Sequence, residues 1–467
     1  MKRALPLLTV LLATRLIAQT TAPAPISSNG PALSLSNGPA LSLSNGPALS
    51  LSNGLSLEDC LRFAGENHPA LSAAQAGAAA AREAVGEARA PYYPQVDLSA
   101  SYHRWQRRAF LPAGLVIPGR GIPEIIGPLD DWNGALLSRV TLFDFGERRA
   151  GLDAAEARFA GAVADTSAMH ADVRLNVQAS FYTLAAAHDL QVVAHKNLER
   201  AEAHERLAGA RAESGAVPQA DVLRTQAEVA SARLQLITAQ SRVRTATGRL
   251  NTAMGRSAAT PLSIARVSTA PPPPAQADLD RAIERALAQR PEITAGEKRT
   301  QAARAAVTAA RAARTPRIRA DGAFGIRDTG FFPDTHEWQA GLSVDLPVFD
   351  AGSRARRFAR SKAELAREEA AFEQRRLQIR DEVWSAASEL ERAWASIAAN
   401  EPGVRASDES LRIVRERYER GAAVITDLLD TQTALARAEA SLAEARWSYL
   451  AARAGFERAV GQPPQLP

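Results

Sequence analysis

The stretch ITDLLDTQTALARAEASLAEARWSYLAARAGFERAV, residues 425–460, decides the fold. In it Leu428, Leu435, Leu442, Tyr449 and Phe456 recur every seven residues, and Thr431, Ala438, Ala445, Ala452 and Ala459 follow at the same period three positions later. A seven-residue apolar repeat is the a/d seam of a left-handed coiled coil, and alanine at one of the two positions lets the helix axes approach closely. The same seam stands 206 residues earlier, where Val222, Val229, Leu236, Val243 and Leu250 alternate with Thr225, Ala232, Ala239, Ala246 and Ala253. The segment before residue 425 repeats too, through Val383, Leu390, Ile397, Val404, Leu411 and Tyr418. Pro402 lies within it and predicts a kink or an interruption. Glu147 to about Ala212 reads as one helix of roughly 100 Å, far longer than a globular domain uses.

Outward from the seam, the chain from Leu57 onward aligns with itself. At the offset of 206, Trp132 falls on Trp338, Phe143-Asp144 on Phe349-Asp350, Gly146 on Gly352, Gly215 on Gly421, Asp221 on Asp427 and Gln226 on Gln432. Further upstream the offset is 222, with Leu57 to Tyr102 falling on Leu279 to Phe324, Pro69 on Pro291 and Pro94 on Pro316. The protein is two copies of one unit of roughly two hundred residues. The offset falls by 16 between Tyr102 and Trp132, so the first copy carries a longer loop, rich in Pro and Gly from Leu111 to Pro128. Each copy reads as helix, two strands, very long helix, tight turn and long helix. The expected division is an export signal at 1–22, a low-complexity linker at 23–54, the first copy at 55–267 with its β-hairpin at about 92–143, a Pro-rich join at 268–277, the second copy at 278–461 with its hairpin at about 316–348, and a tail at 462–467.

The strands alternate cleanly. Val96, Leu98, Ala100 and Tyr102 face one way and Gln95, Asp97, Ser99 and Ser101 the other, with Trp132, Leu136, Val140 and Leu142 on alternate positions of the return strand. In the second copy Ile318, Ala320, Phe324 and Ile326 alternate with Arg317, Arg319, Asp321 and Arg327, and Trp338, Ala340, Leu342, Val344 and Leu346 with Gln339, Ser343 and Asp345. Strands of this kind fit a membrane β-barrel with a wet lumen, and equally a soluble amphipathic sheet lying on helices. Trp105, Trp132, Phe331, Phe332 and Trp338 gather at one end of the hairpins, as an interfacial aromatic girdle would. Four strands cannot close a barrel, and an open edge cannot exist in lipid, so a membrane sheet here implies several chains sharing one barrel.

Composition excludes several other classes. The formal charge is +5 and the basic residues do not gather into a nucleic-acid patch, so no nucleic-acid partner is expected. The N-terminus carries Lys2 and Arg3, an apolar stretch from Ala4 to Ala13 and small residues near Ala18 and Ala22, the pattern of an export signal. An octamer Ser-Asn-Gly-Pro-Ala-Leu-Ser-Leu repeats about three times between residues 28 and 54, too short and polar for a stacked core. No run of 18 apolar residues follows the signal, so no transmembrane helix is expected. The single cysteine, Cys60, rules out an intramolecular disulfide framework and reads as an ordinary helix-face residue. The histidines, His68, His103, His170, His188, His195, His204 and His336, form no metal-ligand spacing and read as solvated surface residues. No phosphate loop or nucleophile elbow is present, so neither a cofactor nor an enzymatic activity is expected.

This doubled unit behind an export signal resembles the TolC-type outer-membrane efflux proteins over residues 55 to 461. Leu55 to Leu61 followed by Asn67-His-Pro69 resembles that family's opening helix. Leu142 to Gly146 and Val348 to Gly352 resemble its strand-to-helix turns, and Tyr418 to Asp430 its periplasmic helix turn, of which Ser214 to Asp221 is the first copy's version. The resemblance implies a mainly α fold of long coiled-coil helices with two β-hairpins. Three chains would build a twelve-stranded barrel in outer-membrane lipid, continued by a helical tunnel across the periplasm. It implies a homotrimer working with a periplasmic adaptor protein and an inner-membrane pump. It also implies that Asp427 and Asp430 ring the closed aperture, although Arg224 stands in the first copy where Asp430 stands in the second. Nearby Arg415 or Arg417 would offset the repulsion of such a ring, while the plain alternative is that the two aspartates only stabilise a helix start. The turns at Gly215 and Gly421 are the expected adaptor-docking sites. The rival reading is a periplasmic coiled-coil adaptor or a structural protein of an export complex. Adaptors carry one helical hairpin between β-rich halves, whereas this chain has two hairpins and four strands.

Overall fold

The computed structural model describes residues 54–106, 109–110, 125–126, 129–265, 278–331 and 335–461, all within one unit spanning residues 51–467. The predicted export signal, nearly all of the octamer linker, most of the Pro/Gly-rich loop from Leu111 to Pro128, the join at Pro271 to Pro274, Phe332 and the tail lie outside the described residues.

The first copy runs α1 (Leu57–Asn67), α2 (Pro69–Arg89), β1 (Gln95–Trp105), the short pair β2 (Ala109–Phe110) and β3 (Ile125–Ile126), β4 (Leu129–Phe143), α3 (Glu147–Glu213) and α4 (Gln219–Ala253). The second runs α5 (Leu279–Gln289), α6 (Pro291–Ala312), β5 (Arg317–Asp328), β6 (His336–Asp345), α7 (Ser353–Glu419) and α8 (Ile425–Val460). The opening helix, expected as one, is therefore two in each copy. Pro69 and Pro291 have no backbone N–H and force the preceding residue out of the helical region, so His68 and Arg290 sit extended at φ −73° and −70°. Ser56 and Asp59 form a reciprocal capping box at the start of α1, and His68 Nδ1 accepts from the Ala70 N–H at 3.1 Å to cap α2.

The two helices of 67 residues, α3 and α7, are each roughly 100 Å long. α7 runs unbroken through Pro402, contrary to the expected interruption. Pro402 and Ala398 are both exposed, so the carbonyl that loses its donor is left to water rather than buried. α3 packs on α4 and α7 on α8 through the heptad seams, with Val229, Ala232 and Leu250 buried in the first pair and Leu428, Leu435 and Tyr449 in the second. The copies meet through α3 on α6 and through α3 on α8, and the second of these contacts is more polar. Arg200 makes a two-bond pair with Glu439 at 3.0 and 2.9 Å, Gln432 donates to Asn197 Oδ1 at 3.1 Å, and Trp447 donates to Asp189 at 2.6 Å.

Strand order is β1-β4-β5-β6, antiparallel throughout, and the helices that continue the strands pack in the matching order α2, α3, α6, α7. Each strand thus feeds the helix beneath it, and β1 and β6 are left as the two edges. Register places Leu98, Leu136, Phe324 and Trp338 in one row and Val140, Ala320 and Leu342 in another, so one face is apolar across all four strands. Leu98, Leu136, Phe324, Trp338, Leu342 and Val344 are exposed on it. The opposite face carries Asp97, Asn133, Arg139, Arg319, Asp321, Gln339 and Ser343.

Two details of the strand reading change. A bulge between Thr141 and Phe143 puts Phe143 rather than Leu142 opposite Ile318, ending the simple alternation. Trp105 does not join the girdle. It lies on the polar face, where its indole N–H donates to Asp131 at 3.1 Å, and Arg327 grips the same carboxylate with two bonds of 2.8 Å. The aromatic group on the apolar face is Tyr102, Trp132 and Phe331, with ring centroids 4.4 and 4.8 Å apart. Beside it Asp130 accepts from the Tyr102 hydroxyl at 2.9 Å and from Arg104 at 3.1 Å, a polar fringe at the end of the apolar band.

Candidate gate and docking turns

The joints between strands and long helices explain the doubled Phe-Asp-x-Gly motif. Phe145 and Gly146, and likewise Ala351 and Gly352, take positive φ in succession, a conformation costly for a residue with a Cβ. The aspartate offsets that cost. Asp144 accepts from the N–H groups of Gly146 and Arg148 at 3.2 and 3.0 Å, and Asp350 from those of Gly352 and Arg354 at 3.1 and 3.0 Å. Each joint therefore passes the chain from sheet into helix within a few residues.

At the far end of the long helices lie the two turns singled out in the sequence. Both close by the same pattern. The Gly215 N–H reaches Ala212 O at 3.0 Å and the Ala216 N–H reaches Arg211 O at 2.8 Å, and the Gly421 and Ala422 N–H groups reach Tyr418 O and Arg417 O at 2.9 and 2.8 Å. This is a Schellman closure, which requires the left-handed φ of 72° at Gly215 and 76° at Gly421. The surroundings differ. A side chain at Gly215 would meet nothing, whereas a Cβ at Gly421 would stand 3.3 Å from Arg211 Nη2. Arg211 belongs to the first copy, donates to the Tyr418 carbonyl and lies over the Tyr418 ring at 4.9 Å, tying the two hairpin tips together.

Asp427 and Asp430 follow the second turn, both exposed, on the first turns of α8. Asp427 makes no capping bond, because the cap position is Val424. Among the described residues neither carboxylate has a hydrogen bond or an ion pair. The expected arginine partners are engaged elsewhere. Arg415 pairs with Glu419 at 3.0 Å, and Arg417 donates to Ala422 O at 3.2 Å on its own turn. In the first copy Asp221 is half shielded and 3.7 Å from Arg224. One tip therefore carries two free negative charges, and the other a neutralised pair.

Sequence reasoning missed three buried groups. His204, read as solvated, is 5% exposed, and burial with the charges of Arg415 and Arg200 pushes its imidazole down to about 4. Arg290, at 3% exposure, bonds Glu292 at 2.8 Å and also reaches Glu382, while Arg458 reaches Glu292 at 2.6 Å and Asp172 at 2.7 Å. The Arg211–Tyr418 contact joins residues 207 apart in the chain, with no periodic signal to announce it. Cys60 is fully buried, and burial pushes its thiol up to about 12, which leaves it unreactive. Among the described residues no group of His, Cys, Asp or Glu could hold a metal ion, and no helix is long and apolar enough to cross a membrane.

Comparison with known proteins gives a consistent set. The family model described as Outer membrane efflux protein matches residues 61–256 and 282–462. Protein CyaE of Bordetella pertussis is 30% identical over 385 residues, covering 81% of this chain and 78% of its own length. Outer membrane efflux protein BepC of Brucella suis is 29% identical over 206 residues, 44% of each chain. Among solved structures, the Campylobacter jejuni CmeC outer membrane channel superposes with a TM-score of 0.77 at 18% identity, over 87% of this chain and 85% of that one, a likeness of fold.

Proposed function

The chain belongs to the outer membrane efflux protein family, and from that membership we propose that three copies close one twelve-stranded barrel whose exit is controlled at the hairpin tips. The protein is an outer-membrane channel subunit of a tripartite efflux or secretion system, with a helical tunnel in the periplasm and no enzymatic role. The reading as a periplasmic adaptor falls with the family match.

The observation that carries the trimer is the four-stranded sheet with two open edges and a bare apolar face. Unpaired strand edges are not tolerated in lipid, so β6 of one copy pairs with β1 of the next around a ring. The apolar face meets outer-membrane lipid and the charged face lines the lumen, where Asp131 is buried beneath Trp105 and a half-buried Arg327 rather than set against hydrocarbon. The adaptor docks at the far end, at the turns of Gly215 and Gly421, and the inner-membrane pump meets the same end of the tunnel. Small residues there let partner helices approach closely. Asp427 and Asp430 from three chains give six carboxylates around one aperture. Nothing in the chain recommends a nucleic-acid partner. Export by a signal at residues 1–22, with the copies divided at 55–267 and 278–461, completes this reading.

An epitope tag at Pro118, in the long loop of the first hairpin, tests the orientation. It should be reached by antibody on intact cells. Labelling that appears only after the outer membrane is ruptured would reverse the topology.

A further inference from the structure

The two copies share their joints but not their charge. In the first ten residues of α7, Ser353 to Lys362, stand Arg354, Arg356, Arg357, Arg360 and Lys362 with no acidic residue. At the equivalent places of α3, 206 residues earlier, only Arg148 is kept, and Ala150, Gly151, Ala154 and Glu156 stand for the other four. The end of α6 follows the same trend, with Arg314 where the first copy has Tyr92. Arg354 serves the joint, bonded to Asp350, as Arg148 serves Asp144. The additional cations have no such structural duty. Arg356, Arg357, Arg360 and Lys362 are exposed, and among the described residues Arg356 and Arg357 have no ion pair. Arg360 meets Glu364 at 3.3 Å, and Arg314 and Lys362 flank the Phe358 ring at 5.7 and 4.8 Å. Cations also work against the helix itself here, since the first turn of a helix favours negative charge.

The patch adjoins the apolar band. β6 ends at Asp345, and the connection to α7 leaves Val348 and Phe349 each 90% exposed, with Leu346 exposed before them. Apolar side chains pointing into open space, followed within roughly 15 Å of helix by four exposed cations, of which Arg356 and Arg357 have no ion pair among the described residues, match the boundary between hydrocarbon and phosphate in a bilayer. We propose that the end of α6 and the first turns of α7 form a cationic collar that binds the phosphate headgroups of anionic phospholipid in the periplasm-facing leaflet. The inference rests on the reading that the sheet spans the outer membrane, and it assigns the second copy a lipid contact that the first copy lacks. The competing occupant is a neighbouring copy. Its α2 would bring Glu83 and Glu87 toward α7 in a closed ring, too few charges to neutralise the collar.

The test uses the full-length protein in detergent, mixed with equal amounts of phosphatidylglycerol and phosphatidylcholine of the same acyl chains, and counts retained lipid by native mass spectrometry. Wild type should retain phosphatidylglycerol in excess by roughly fivefold or more, the ratio that a single surface cation supplies. The R356Q/R357Q/R360Q/K362Q variant should lose that preference and remain a trimer. The variant R405Q/R412Q/R415Q/R420Q, which loses the same charge near the other end of α7, should keep it. Equal retention of both lipids by wild type overturns the proposal. So does loss of the trimer in both the collar variant and E83Q/E87Q, because the cations would then serve the neighbouring copy. A protein that stays soluble without detergent and carries neither lipid removes the membrane reading itself, and the collar with it.

Discussion

Two side chains, Glu292 and His204, make stability depend on pH. Burial alone would raise the Glu292 carboxyl, but hydrogen bonds and charge from Arg290 and Arg458 outweigh it and hold the group at about 2, against an ordinary 4.5. A carboxyl lowered in the folded state stabilises it at pH above 4.5 and ceases to do so as pH falls toward 2, a contribution on the order of 3 kcal/mol. His204 acts over a higher window. Its imidazole is neutral in the fold down to about 4 but takes a proton near 6.5 when unfolded, so its contribution is full above 6.5 and falls away between those values. Thermal melts against pH should therefore show H204L flattening the slope from 6.5 to 4, and E292Q flattening it below 4.5 while costing stability at neutral pH. Unchanged slopes in both variants would mean that His204 is not buried, nor Glu292 paired, as described. At the turns, a bulky residue at Gly421 must strain a φ of 76° and displace Arg211, while at Gly215 only the backbone objects. G421L should reduce export strongly and G215L less, with trimer assembly intact in both. Normal export by the double variant would count against docking at these turns. None of the buried partnerships was legible in the sequence. Arg290 and His204 carry no periodic mark: Arg290 joins nearby Glu292 to Glu382 of α7, and His204 is buried beside Arg415 of α7 as well as Arg200 of its own helix.

At the scale of elements the sequence was far more informative, because heptads and strand alternation are local consequences of burial. Leu428, Leu435 and Tyr449 sit in the seam where the period puts them. The failures have local causes. Pro402 did not interrupt α7 because its exposed side leaves the orphaned carbonyl to water, and Trp105 left the girdle because an odd position on β1 faces Asp131. The start of α8 is the element to which the proposed gate is assigned. Asp427 and Asp430 lie three residues apart, roughly on one face, with no partner among the described residues. Free carboxylates at a narrow aperture attract cations, and the first copy's tip, with Asp221 near Arg224, adds little to that field. D427N/D430N should lower cation selectivity and weaken block by multivalent cations in planar-bilayer recordings. Wild-type selectivity and block in that variant would reduce the two aspartates to helix-start residues and move the constriction elsewhere.

The whole molecule is incomplete as a single chain. Its sheet has two open edges and a bare apolar face, and the helices continue the strand order beneath it so that whatever closes the sheet also closes the tunnel. The sequence revealed the duplication and the need for several chains, since four strands cannot close, but spacing alone could not fix their number. The number three comes from the family. The most direct test is the mass of the detergent-extracted protein, by native mass spectrometry supported by cross-linking. This account predicts one species of three chains that requires detergent to remain in solution. A stable monomer, soluble without detergent, would contradict it.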